Sequence, residues 1–100
     1  MFPEKIKDFL ITLIQKTEGG EFTWIYDDDN SSVNLQTNEF SATLKYTFNN
    51  NEEYGEFVLF YFDLIANKEY RFYTNQTWKD YEIARRLYEV AQSSGLNLPF

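Results

Sequence analysis

At 100 residues, of which 43% are hydrophobic and 20% aromatic, the chain has the size and composition of a single globular domain spanning residues 1–100. It contains no histidine and no cysteine, so it lacks the usual acid–base group near neutral pH, the commonest metal ligand and the best nucleophile. Its formal net charge of −7 opposes contact with phosphates. We therefore expect no enzyme activity, no cofactor or metal, and no direct nucleic-acid binding.

The first predicted element is an amphipathic helix that starts near Pro3 and ends at Gly19 and Gly20. Its apolar positions recur every three or four residues: Ile6, Leu10, Leu13, Ile14 and Thr17. The apolar run from Phe9 to Ile14 is far shorter than the ~20 residues of a membrane span. We expect mature structure in a soluble protein, with the cytoplasm as its default location, and the absence of cysteine fits a reducing compartment.

A predicted antiparallel sheet follows the glycines, because the apolar period changes to two. The first strand carries Phe22, Trp24 and Tyr26, and a short second strand carries Val33 and Leu35. In the third strand apolar residues alternate strictly with serine, threonine and lysine, which predicts one buried and one wet face. Its apolar positions are Phe40, Ala42, Leu44, Tyr46 and Phe48.

The next strand, 57–64, is apolar on both alternating faces, which places it in the interior of the sheet. A last strand covers 69–73, with Tyr70 and Phe72 on one face. The links between consecutive strands are short, so the sequence predicts a meander rather than parallel crossovers.

The final element is a second amphipathic helix. Thr77 followed by Asp80 resembles a capping box, and Gly95 and Pro99 predict the helix end. The apolar face consists of Trp78, Tyr81, Ala84, Leu87, Tyr88 and Ala91. The predicted fold class is α+β: an N-terminal helix, a four- to five-stranded antiparallel meander and a C-terminal helix, with both helices packed on one face of the sheet.

Three motifs bear on possible chemistry. The run Asp27 to Asn30 lacks the ligand spacing of a calcium loop and reads better as a hairpin turn. Aromatic residues of the strands could stack on bases, but they lack the interleaved basic residues that hold phosphates. Carboxylate pairs such as Asp63 with Glu56 resemble those of glycoside hydrolases, but a chain of this size has little room for a sugar cleft.

Charge distribution is the main functional signal of the sequence. Between Thr17 and Asp63, ten acidic residues accompany the single base Lys45. A field of one sign steers and orients a basic protein partner, although acidity also serves solubility alone. The candidate partner-binding residues are Asp27, Asp28, Asp29, Glu39, Glu52, Glu53 and Glu56.

The order of these elements resembles that of small bacterial single-domain proteins of uncharacterised function, built as helix, antiparallel sheet and helix. The resemblance rests on the helix ending in Gly-Gly, the strand FTWIY and the last helix ARRLYEVAQ, with its Leu-Tyr-x-x-Ala segment. Its matching positions, Trp24, Leu87, Tyr88 and Ala91, are core-type residues. A small, acidic, cysteine-free α+β chain is also similar in style to the immunity proteins that neutralise bacterial toxins.

Two function classes remain open. The first is a non-enzymatic protein-interaction domain, such as an immunity or inhibitor protein for a basic partner. The alternative is a small-ligand or carbohydrate-binding module that uses Trp24, Trp78 and nearby tyrosines in a groove between sheet and helices. A third interpretation, an acidic mimic of nucleic acid, needs carboxylates spaced like phosphates along one surface.

Overall fold

The computed structural model of the chain describes residues 1–96 and confirms the predicted α+β class. A helix, α1, is followed by five strands and a second helix, α2. Their bounds are α1 Glu4–Glu18, β1 Ile25–Asp27, β2 Ser32–Gln36, β3 Phe40–Asn49, β4 Tyr54–Asp63, β5 Lys68–Asn75 and α2 Tyr81–Ser93. Pro99 lies outside the described residues.

Helix α1 ends as the glycine pair predicts. Gly20 adopts the left-handed conformation, with φ of 82°. Its conformation lets the chain turn back, so that the Glu21 amide donates to the Lys16 carbonyl at 2.9 Å. On the helix, Leu10, Leu13 and Ile14 are buried, which confirms the apolar stripe.

The sheet is an antiparallel meander with its strands in sequence order from β1 to β5. Strands β3 and β4 are each ten residues long and pair along their whole length. The alternation in β3 is confirmed at Ala42 and Leu44, which are almost fully buried while Thr43 and Lys45 keep partial exposure. It is wrong at Phe48, which is 52% exposed because it lies near the end of the strand, opposite Gly55. Strand β4 is an interior strand, as its sequence predicts.

Both helices pack on one face of this sheet. From α2, Tyr81 and Tyr88 contact the ring of Phe57 on β4, with centroids 5.2 Å and 5.5 Å away. From α1, Phe9 packs edge-on against Phe40 and against Tyr61 on the same face. None of the elements described within 1–96 covers the opposite face, which we call the open face.

The first strand is shorter than its alternation predicts, because Trp24 belongs to the junction of the two helices. Its backbone amide donates to the Ser94 hydroxyl at 2.8 Å, and its indole donates to the Thr17 hydroxyl at 2.9 Å. The side chain is 2% exposed. A residue held in this way by both helix ends does not pair in the sheet, so β1 begins only at Ile25.

The predicted capping box at Thr77 is wrong. The Thr77 hydroxyl bonds to the Asn75 side chain, and α2 begins only at Tyr81. The Asp80 carboxylate, 5% exposed, instead accepts the Phe2 amide at 2.6 Å and the Thr74 hydroxyl. Asp80 therefore joins the start of α1, the end of β5 and the start of α2.

Replacing Tyr88 tests the packing of α2. Tyr88→Ala should lower the free energy of unfolding by about 3 kcal/mol, because the ring packs between Phe57 and Tyr26. Urea titration measures the change. The control Arg86→Ala alters an exposed residue of the same helix and should unfold like the parent. A parent-like midpoint for Tyr88→Ala would contradict this packing.

Replacing Asp80 tests the three-element junction. Asp80→Ala should cost about 2 to 3 kcal/mol, because it leaves the buried Phe2 amide and Thr74 hydroxyl without their acceptor. The neighbouring exposed residue provides a matched control, Lys79→Ala, which should change stability little. Equal thermal midpoints for the two variants would show that the junction contributes nothing to stability.

Candidate interaction surface

The meander places alternate turns at the same end of the sheet, and this gathers most of the predicted acidic residues. The β1–β2 turn and the β3–β4 turn share one end. Six of the seven candidates lie there and form what we call the acidic end: Asp27, Asp28, Asp29, Glu52, Glu53 and Glu56. Glu39 precedes β3 at the opposite end, where its carbonyl accepts the Leu64 amide. It does not join the other six.

Hydrogen bonds within the β1–β2 turn fix its carboxylates. The Asp27 carboxylate accepts the Asn30 side-chain amide at 2.6 Å and the Asn30 backbone amide at 3.3 Å. These bonds, with that of the side chain foremost, hold the pKa of the Asp27 carboxyl below its usual range. Asp28 accepts the Tyr26 hydroxyl at 3.0 Å. The turn therefore holds negative charge in a defined place.

The β3–β4 turn is closed by Asn49 in a similar way. Its side-chain oxygen accepts the amides of Asn51 and Glu52 at 3.0 Å and 3.1 Å, and its carbonyl accepts the Glu53 amide at 2.7 Å. Glu53 adopts positive φ, 59°. The amides of the turn thus bond to Asn49 and not to the glutamates. The side chains of Glu52 and Glu53 are exposed to solvent.

Glu56 links the acidic end to the open face. It lies on β4 between Thr47 and Asn75 of the neighbouring strands. One oxygen of its carboxylate accepts the Asn49 side-chain amide at 2.9 Å and the Tyr73 hydroxyl at 3.0 Å. These contacts fix the carboxylate on the surface of the sheet.

An apolar stripe continues from Glu56 along β4 on the open face. It consists of Val58, Phe60 and Phe62, which remain partly exposed. The Arg71 guanidinium lies over the Phe60 ring, 5.4 Å from its centroid. A depression of about 440 Å³ adjoins the stripe and includes Ser41 and Thr43 of β3 in its lining. The sequence shows that both faces of β4 are apolar, but only one of them is covered by helices.

The two tryptophans do not form an aromatic groove between sheet and helices. Trp24 fills the core, as described above. Trp78 lies before α2 and packs edge-on against Tyr73, with ring centroids 5.7 Å apart. Tyr73 belongs to the open face, so the two tryptophans serve different sides of the sheet.

The described residues also bear on metal sites and membranes. Within 1–96, no three acidic side chains are grouped so that they could hold a metal ion. In the same range, neither helix combines the length and the apolar character needed to cross a membrane.

Comparison with known proteins gives no further guide. No protein family, curated protein or solved structure matches the chain. The function has to be argued from the acidic end and the open face.

Alkaline titration tests the position of Tyr73. Burial, and the hydrogen bond to Glu56, raise the pKa of the Tyr73 phenol to about 12. Because its folded pKa lies above the unfolded value of 10.0, its contribution to stability is complete below pH 10 and should be lost as the pH rises towards 12.

The measurement is the ultraviolet absorbance of tyrosinate after rapid jumps in pH. Burial raises the pKa of Tyr88 to about 12 as well, so two phenols should titrate together at this pH. In Tyr73→Phe the absorbance step near pH 12 should shrink, because one late-titrating phenol is removed. In Glu56→Gln the part of the step that belongs to Tyr73 should move to lower pH. A step of unchanged size in Tyr73→Phe would place Tyr73 in a more solvated environment.

Proposed function

We propose that this chain is a non-enzymatic protein-interaction domain that binds a basic partner protein through the acidic end of its sheet. The observation that carries the proposal is the grouping of six carboxylates at one end of the sheet, where Lys45 is the only base contributed by β1 to β4. A field of one sign attracts and orients an oppositely charged partner before contact.

The turn geometry supports this role. The acidic residues lie on two tight hairpins whose backbones are closed by Asp27 and Asn49. A surface that is already ordered loses little conformational entropy when a partner binds. The carboxylates of Glu52 and Glu53 are therefore presented at low cost to lysine or arginine side chains.

The apolar stripe of the open face supplies the other part of an interface. Protein interfaces combine a central area that excludes water with a polar or charged rim. Val58, Phe60 and Phe62 provide apolar area, and Glu56 connects this area directly to the acidic end. The charges would set orientation and association rate, while burial of the stripe would contribute affinity.

The specific form of the proposal is an inhibitor or immunity protein for a basic bacterial enzyme, such as a nuclease-type toxin, acting in the cytoplasm. Such enzymes carry positive surfaces because their substrates are polyanions. The ligand-binding alternative is less favoured, because the buried Trp24 is not available to stack on a ligand.

Charge reversal at the acidic end tests the proposal. Parent and variant chains are immobilised and used to capture proteins from a bacterial lysate in about 50 mM and about 500 mM salt. Glu52→Lys combined with Glu53→Lys should abolish capture of a basic protein that the parent retains at low salt and releases at high salt. Because both residues are exposed, the fold should be unaffected.

The matched control reverses two exposed charges on α2, Glu82→Lys and Glu89→Lys. It changes the net charge by the same amount at a different place and should retain the partner. Equal loss in both double variants would mean that net charge alone governs capture. Retention by the Glu52/Glu53 variant would exclude the acidic end as the binding surface.

A further inference from the structure

Strand β5 is an exposed edge of the sheet. It spans eight residues, and the side chains of its first half, from Lys68 to Arg71, are exposed. The opposite edge, β1, has only three residues. An edge strand carries backbone groups without partners in its own sheet, so β5 offers a template for one further strand.

Pairing with β4 determines which residues of β5 point their backbone groups outwards. Gln76 directly follows β5, and its amide donates to the Gly55 carbonyl at 3.0 Å, while the Gly55 amide donates to the Gln76 side-chain oxygen at 3.0 Å. The backbone amide of residue 76 thus points towards β4, and orientation alternates along a strand. Even-numbered residues of β5 therefore point their backbone groups towards β4. Glu69, Arg71 and Tyr73 point theirs outwards.

The N-terminal residue closes one end of this edge. The Met1 ammonium donates to the Tyr73 carbonyl at 2.8 Å. The outward amides and carbonyls of Glu69 and Arg71 remain for an additional strand. The usable edge is thus short and centred on Tyr70.

The side chains at this edge are of opposite charge. Glu69 and Arg71 lie two residues apart on the open face, on either side of Tyr70 in sequence. Within 1–96, neither forms an ion pair. Lysine or mixed charge often protects an edge from pairing, but an antiparallel copy of this edge would place the two signs opposite each other.

We propose that the β5 edge is a homodimer interface, in which a second copy adds its own β5 antiparallel about a two-fold axis at Tyr70. Glu69 then lies opposite the second copy's Arg71, and Arg71 opposite the second copy's Glu69. Both are exchanging pairs, so four backbone hydrogen bonds and two ion pairs form together. The contact is isologous, as a closed dimer requires.

The register is selective. If the register of the two β5 strands shifts by one residue, outward amides and carbonyls of one strand lie opposite residues whose backbone groups point towards β4. No ladder of hydrogen bonds can then form. A two-fold axis at residue 69 would oppose two copies of Glu69. An axis at residue 71 would oppose two copies of Arg71 and would use the Tyr73 carbonyl that Met1 occupies. Only the axis at Tyr70 satisfies both the backbone and the charges.

The side chains of β5 on the helix-bearing face of the sheet also fit this dimer. The Tyr70 rings of the two copies would meet on the face that carries the helices, where Tyr70 is 38% exposed in the single chain. Lys68 would lie opposite the second copy's Phe72, and its ammonium already lies 5.8 Å from the Tyr70 ring centroid. This surface uses none of the residues of the acidic end.

Sedimentation equilibrium of the whole chain tests the proposal. Because the interface is small, we expect a weak dimer, with the apparent mass rising from 12.0 kDa towards twice that value between roughly 10 µM and 1 mM protein. Amide exchange followed by nuclear magnetic resonance should show protection of the Glu69 and Arg71 amides that increases with concentration. A mass of one chain throughout this range would overturn the proposal.

Charge reversals identify the surface. Glu69→Arg and Arg71→Glu should each weaken self-association about ten-fold or more, because each opposes like charges twice in the dimer. An equimolar mixture of the two variants should associate like the parent, since their heterodimer restores both ion pairs. The control Glu52→Lys also reverses one charge, but at the acidic end, and it should leave the dimer intact. Parent-like association of both single variants, or no recovery in the mixture, would place the contact elsewhere.

Discussion

The buried carboxylate of Asp80 is the contact on which the arrangement of the layers depends. It accepts hydrogen bonds from Phe2, just before α1, and from Thr74, at the end of β5, and α2 begins at the next residue. At the other end of the helices, Trp24 bonds to Thr17 and Ser94. Both helices are thereby held to one face of the sheet, and the open face is the consequence.

The alternation of β3 and the two apolar faces of β4 were sufficient to predict an antiparallel sheet with β4 in its interior. They were not sufficient to predict which face of β4 is covered. An apolar residue such as Phe60 gives the same signal whether it contacts a helix or is left for a partner. Within residues 1–96 both helices are tied to the same face, and no third layer covers the other one. The exposed stripe was thus a signal that sequence periodicity could not separate from a core.

The errors at Trp24 and Thr77 have a common cause. At both places a local pattern competes with a polar contact of the same residue: Trp24 donates to Ser94, 70 positions away, and Thr77 bonds to Asn75, two positions before it. Local propensity carries no information about such contacts. The position of Glu39 is different. Consecutive turns of a meander lie at opposite ends, so the separation of Glu39 from the acidic end follows from the predicted topology and could have been inferred.

The two proposed surfaces are geometrically compatible. A two-fold axis at Tyr70 is perpendicular to the sheet, so the open faces of both copies would lie on the same side of one continuous ten-stranded sheet. Since β5 begins at the end of the sheet opposite the acidic end, the two acidic ends would lie at the far extremes of the dimer. This separation minimises the repulsion between two chains that each carry −7. It would also allow one dimer to bind two basic partners, or two sites of one elongated partner, so that even a weak dimer would raise the apparent affinity for a repetitive target.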